Sequence, residues 1–124
     1  MPIALKLLQI QENDDSITVY MGLTFSGNYP NPGGDTLDFS TVIGLATPNG
    51  RIFHQGGNSP CVYGTITGIN GYVFGFQPSL VDLKTNLVTL WTTATTQQAG
   101  GAYPAGVTGD AFIVGEFCFQ KFAP

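Results

Sequence analysis

The sequence predicts an all-β chain, a single-domain β-sandwich or jelly-roll-like barrel with little or no helix. Three observations carry this expectation. Ser16 to Ser26 sets Ile17, Val19, Met21, Leu23 and Phe25 in strict alternation, the pattern of a strand with one buried face. Turn signals built from Gly, Pro, Asn and Asp recur at short intervals along the whole chain. No window carries a helical period over three turns between helix caps. At 124 residues the chain is most simply one domain, able to bury about two-thirds of its unfolded surface. Residues 1–15 are expected as an N-terminal arm or first hairpin strand, and 16–124 as the sandwich domain.

Ile3 to Gln11 is apolar at odd positions (Leu5, Leu7) and then at even positions (Leu8, Ile10). A change of phase with no turn residue predicts a β-bulge, or an arm whose halves face different surfaces. Glu12 to Asp15 is a polar turn, so the first segment would pair with Ser16–Ser26 as a hairpin. Tyr29 to Asp35 holds two prolines and two glycines, which make a rigid exposed bend. It releases into Thr36–Ser40, whose alternation sends Leu37 and Phe39 into the core and leaves Tyr29 and Pro30 open to a neighbour.

Val42–Leu45 extends that strand or begins another, and Pro48-Asn49-Gly50 is a turn. Arg51–His54 is a short strand closed by a flexible Gly56–Pro60. Further strands are expected at Val62–Ile66, at Gly71–Phe76 with Tyr72, Phe74 and Phe76 on one face, and at Leu87–Thr96. Pro78–Asn86 and Gln97–Thr108 are connections. Ala111–Phe122 closes the fold.

Charged residues make up 10% of the chain, against about 25% in an ordinary soluble domain. A surface this poor in charge is weakly protected against association and points to protein contacts. A solvated surface rich in Thr, Asn and Gln fits the composition equally well. The net charge of −4 and the four scattered cations Lys6, Arg51, Lys84 and Lys121 argue against nucleic acid as a partner. They argue equally against an anionic membrane surface. No run approaches the ~18 apolar residues of a helical span. Met1 to Ile10 lacks the apolar core of a signal peptide, so a cytoplasmic protein is expected unless it leaves inside an assembly.

Catalytic chemistry finds no foothold. Cys61 and Cys118 fit no metal spacing; a disulfide is open, and two buried free thiols are favoured for a cytoplasmic chain. His54 has no ligand-spaced partner and no Gly-x-Ser-x-Gly elbow accompanies it, which suits a structural hydrogen bond. Asp35 and Asp38 would face opposite sides of a strand, and nothing marks a glycosidase pair. Glu12 to Asp15 lacks a glycine-spaced calcium loop. Asp35 and Asp110, each after a glycine, are expected to accept backbone N–H groups in their turns. Gly33-Gly34 and Gly100-Gly101 lead into no helix and hold no phosphate. The aromatics Tyr20, Tyr29, Tyr63, Tyr72, Tyr103 and Trp91 could line a sugar platform, but read better as core or interface anchors. No catalytic residue, cofactor or metal is expected.

The stretch Tyr29-Pro30-Asn31-Pro32-Gly33-Gly34-Asp35-Thr36-Leu37-Asp38-Phe39-Ser40 is followed by Gly71-Tyr72-Val73-Phe74, a strand ending in Trp91, and two further segments. These are Ala102-Tyr103-Pro104-Ala105 and Val107-Thr108-Gly109-Asp110. In this order the motifs resemble those of small β-rich virion proteins of tailed bacteriophages, encoded near the major capsid protein. The resemblance runs from Gly27 to Phe119; the connection Gln77–Asn86 is longer than its usual hairpin, and the N-terminus is apolar. It implies a non-enzymatic head decoration or cement protein on the outer capsid surface of the virion. Its partners would be the major capsid protein and further copies of itself, as a homotrimer, with no nucleic acid or membrane. On that reading the protein-contacting residues are Leu5, Leu7, Leu8 and Ile10 of the arm, with Tyr29, Pro30 and Tyr103. The alternatives are another virion component (tail, neck or fibre) or a carbohydrate-binding β-sandwich module.

Overall fold

Strands dominate the computed structural model, which describes residues 3–12, 16–41, 61–80 and 83–120. The turn at Asn13–Asp15, the readings between Val42 and Pro60 (His54 included) and the end of the closing strand beyond Gln120 lie outside the described residues.

Strand β1 (Ile3–Glu12) pairs antiparallel with β2 (Ser16–Phe25). The far side of β2 pairs with the last strand, β9 (Val114–Gln120), which in turn pairs with β5 (Cys61–Thr67). The sheet order is therefore β1-β2-β9-β5. A second sheet has the order β4-β7-β6, from β4 (Asp35–Leu37), β7 (Asn86–Trp91) and β6 (Val73–Gln77). A two-residue clip joins β3 (Asn28–Tyr29) to β8 (Gly101–Ala102). Among the described residues helical backbone is confined to a 3-10 turn at Phe39–Thr41 and to α1 (Ala105–Thr108). The fold is all-β, as the alternation in β2 dictates.

The phase change in β1 is a bulge. Leu7 pairs with Met21 and Gln9 with Tyr20, so Leu8 has no partner on β2. Leu5, Leu7 and Ile10 pack against the core, whereas the bulge turns Leu8 out, 51% exposed. In β2 each of Ile17, Val19, Met21, Leu23 and Phe25 is buried.

The two sheets meet through aromatic rings. Phe39 lies 4.8 Å from Phe117 and 5.1 Å from Phe119, centroid to centroid, in edge-on contact. Phe76 touches Phe117 at 5.1 Å, and Phe25 stacks on Phe74 at 5.5 Å. Leu37, Val88 and Leu90 from the second sheet complete the same core.

Several element boundaries differ from expectation. The strand read at Thr36–Ser40 stops at Leu37, because the Asp38 carboxylate accepts the Ser40 N–H at 2.8 Å and bends the chain into the 3-10 turn. Phe39 nevertheless reaches the core, fully buried. The strand read at Leu87–Thr96 ends at Trp91, where Thr92 donates its N–H to the Thr96 carbonyl and the Thr93 hydroxyl accepts from Thr95 and Thr96. The connection Gln97–Thr108 contains β8 and α1, and the closing strand starts at Val114 rather than Ala111.

Both cysteines are free thiols. Cys61 is wholly buried and donates to the Tyr63 carbonyl at 3.2 Å. Burial pushes its thiol up from 9.0 to about 12. The folded chain then holds a proton that the unfolded chain releases, so this stabilisation is complete below pH 9 and is lost as pH rises toward 12. Urea titrations across that range are expected to show the stability of the wild type falling more steeply with pH than that of Cys61→Ala.

Candidate protein-interaction surface

The seven residues expected at a protein interface separate into three groups. Leu5, Leu7 and Ile10 lie half-buried along the inner side of β1. Leu8 and Pro30 are exposed, on different elements. Tyr29 and Tyr103 are corrected outright: they are 2% and 6% exposed, so neither is open to a neighbour.

The physical reason lies in the bend itself. The clip of β3 on β8 carries Tyr29 inward, and the Tyr103 N–H bonds the Gly27 carbonyl at 3.2 Å. The two rings meet edge-on at 5.7 Å. The Tyr103 hydroxyl donates to Oδ2 of the buried Asp35, whose Oδ1 accepts the Thr36 N–H at 2.9 Å. The Tyr29 hydroxyl accepts from the Leu90 N–H at 3.1 Å and from the Gln97 side-chain amide. Gln97 also donates to the Pro32 carbonyl at 3.1 Å, and Asn31 to the Gln98 carbonyl at 2.6 Å. Gly34 completes the arrangement at φ +87, where a Cβ would lie 2.8 Å from the Val88 carbonyl; only glycine fits there. The segments Tyr29–Ser40 and Ala102–Asp110, far apart in sequence, thus form one latch.

Two of the exposed large apolar residues are firmly anchored through their backbones. Asp110 is 8% exposed and accepts two backbone N–H groups, from Phe112 at 2.8 Å on Oδ1 and from Ile69 at 2.9 Å on Oδ2. One carboxylate therefore fixes two loops, each presenting a large apolar side chain: Ile69 is 67% and Phe112 66% exposed. Amides bound to the two oxygens of a single carboxylate lie within about 8 Å of each other. Asn70 adds a bond to the Gly106 carbonyl of α1 at 2.9 Å. Asp110→Ala would leave both amides without their acceptor, at an expected 1–3 kcal/mol, roughly. Hydrogen exchange should then quicken at the amides of Ile69 and Phe112 first.

Phe112 forms one wall of a groove of about 290 Å³ on the outer face of the four-stranded sheet. Leu8 forms the opposite wall, with the stem of Lys6 beside it, and Gly22 and Thr24 of β2 lie between. The Leu23 N–H bonds the Ile113 carbonyl at 2.9 Å, which holds the Phe112 segment against β2.

Sequence reasoning found Leu8, through the phase change, and missed Lys6, Gly22, Ile69 and Phe112. A signal was present for two of them. Gly22 interrupts the larger outward-facing residues of β2. Phe112 sits in the apolar run Ala111–Val114, where a strand with one wet face would alternate.

Among the described residues no cluster of His, Cys, Asp and Glu could hold a metal ion, and no helix is long and apolar enough to cross a membrane. Comparison with models of protein families, with curated proteins and with solved structures finds no match to this chain.

Proposed function

We propose that this chain is a non-enzymatic virion structural protein, a decoration or cement protein of a tailed bacteriophage. It binds the outer capsid surface, contacts the major capsid protein and its own copies, and stabilises the head. The observation that carries the reading is the apolar groove walled by Leu8 and Phe112, with the exposed Ile69 anchored on the same Asp110 carboxylate as Phe112, on a chain of very low charge. Fixed apolar side chains at a surface are favoured when protein covers them. The resemblance of the bend and latch segments to small virion proteins supplies the kind of partner. Quantitative mass spectrometry of purified virions tests the reading: the chain should be present at a copy number comparable with the capsid subunits. A few copies per particle would place it in the tail, neck or fibre, and absence would end the virion assignment.

One observation favours a second reading, a carbohydrate-binding module. Trp91 is half-buried on the outer face of the second sheet, opposite the exposed Val73. Its indole N–H is already donated to the Thr89 hydroxyl at 3.0 Å, so the ring offers a stacking face without a donor. Glycan-array binding lost in Trp91→Ala would favour this reading.

A further inference from the structure

We propose that the groove over Gly22 docks a single apolar side chain, flanked by a carboxylate, on an extended segment of a partner protein. The proposal rests on the reading of this chain as a protein-binding component and names the chemistry of what it binds.

The floor is a glycine without a conformational reason to be one. Gly22 has no positive φ, and the atoms nearest to a Cβ added there, Leu8 Cδ1 and two Lys6 atoms, would each lie 4.0 Å away. Glycine weakens a strand interior and commonly marks the close approach of another chain. Here its consequence is the depression between Leu8 and Phe112. Both walls are imposed by specific devices, the bulge that turns Leu8 outward and the Asp110 carboxylate that anchors the Phe112 loop. A surface left to chance would not need either.

Charge and area decide the occupant. Among the described residues Lys6 is the one charged residue lining the groove, and none of them brings a carboxylate to it. In a chain of net charge −4 this is a local cationic point beside an apolar slot. A segment carrying an acidic residue next to its apolar anchor complements both features. Leu8, Ile69 and Phe112 together expose roughly 300 Å² of apolar surface. A stable interface needs about 800 Å² on each side. Two copies meeting through these side chains alone fall short of that. A protruding side chain fills the slot, and the segment's backbone gains its remaining contacts outside it.

The test uses the full chain and two blocked heptapeptides, Gly-Ser-Glu-Phe-Thr-Ser-Gly and the same peptide with Lys in place of Glu, titrated by two-dimensional NMR. The Glu peptide should shift the amides of Gly22, Leu8 and Val114, and bind two- to fivefold more tightly than the Lys peptide, the margin expected of one exposed ion pair. Gly22→Val, whose Cβ would stand in ordinary contact with its neighbours and which favours a strand, should fold with a melting temperature close to that of the wild type and lose the shifts. Lys6→Glu should reverse the peptide preference.

The proposal is overturned by shifts centred away from the groove, or by undiminished binding in folded Gly22→Val. It is overturned as well by groove shifts that depend on protein concentration alone, since a second copy would then be the occupant. Peptide binding in the groove, with the chain absent from virions, would retire the virion assignment and leave the docking site standing.

Discussion

Phe39→Ala is expected to lower the unfolding free energy by about 3–5 kcal/mol, the usual cost of emptying a buried aromatic site. Phe39 has no exposed surface and touches three other rings, Phe76 at 6.2 Å, Phe117 at 4.8 Å and Phe119 at 5.1 Å. It comes from the turn after β4, whereas Phe117 and Phe119 belong to the four-stranded sheet, so the ring is part of what holds the two sheets together. Neighbouring side chains are already edge-on and fixed by their strands, which limits their collapse into the cavity. Against a total stability of roughly 5–15 kcal/mol for a domain, the melting temperature should fall by roughly 10–20 °C. Phe112→Ala is the control: its ring is 66% exposed, and the loss should stay within about 0.5 kcal/mol. Equal losses in the two variants would contradict the placement of the core.

Tyr103→Phe is expected to cost about 1.5–3 kcal/mol, the range for a hydrogen bond to a charged group. The substitution keeps the ring contacts with Phe25 and Tyr29 and removes only the hydroxyl that bonds Asp35. Asp35 is 4% exposed and would keep the Thr36 N–H as its one remaining donor among the contacts described above. The effect has a pH signature. Burial first, and then the Asp35 carboxylate, hold the Tyr103 hydroxyl well above the usual tyrosine range. The folded state therefore retains a proton that the unfolded state gives up above about pH 10. That stabilisation is complete below pH 10, roughly, and is lost as pH rises beyond it. Denaturant unfolding at pH 7 and pH 11 should show a large deficit for Tyr103→Phe at neutral pH, narrowing in alkali. A deficit that is the same at both would mean the hydroxyl is not bonded to Asp35 in solution.

These residues show how far sequence pattern reaches. The period-2 runs were legible wherever one face is buried and the other wet, as in β2, because alternation records exactly one burial decision per residue. The bulge at Leu8 was legible for the same reason, as a slip in that record. The inward direction of Leu37 and Phe39 followed from their spacing, although Asp38 converts the strand into a turn between them. Tyr29 and Tyr103 were misplaced because their partners are remote. A tyrosine beside prolines and glycines has the local chemistry of an exposed bend, and only the β3–β8 clip with Asp35 and Gln97 draws it inside. The acceptor role of Asp110 was legible as a turn carboxylate, but Ile69 as one of its donors was not, since that bond joins positions 41 apart in the chain. Phe112 and Gly22 acquire meaning together, once β1, β2 and the segment before β9 lie side by side.

The central claim, that this chain is a capsid-surface protein gripping its partner through the groove over Gly22, is tested most directly by electron cryomicroscopy of virions. Virions assembled with the wild-type chain and with Gly22→Val should be imaged, each variant shown to be folded by its melting temperature. The expected result is outer-surface density for the wild type, with the face carrying Leu8 and Phe112 turned toward the capsid, and bare capsids for Gly22→Val. Full decoration by Gly22→Val, or no surface density from the wild type, would contradict it.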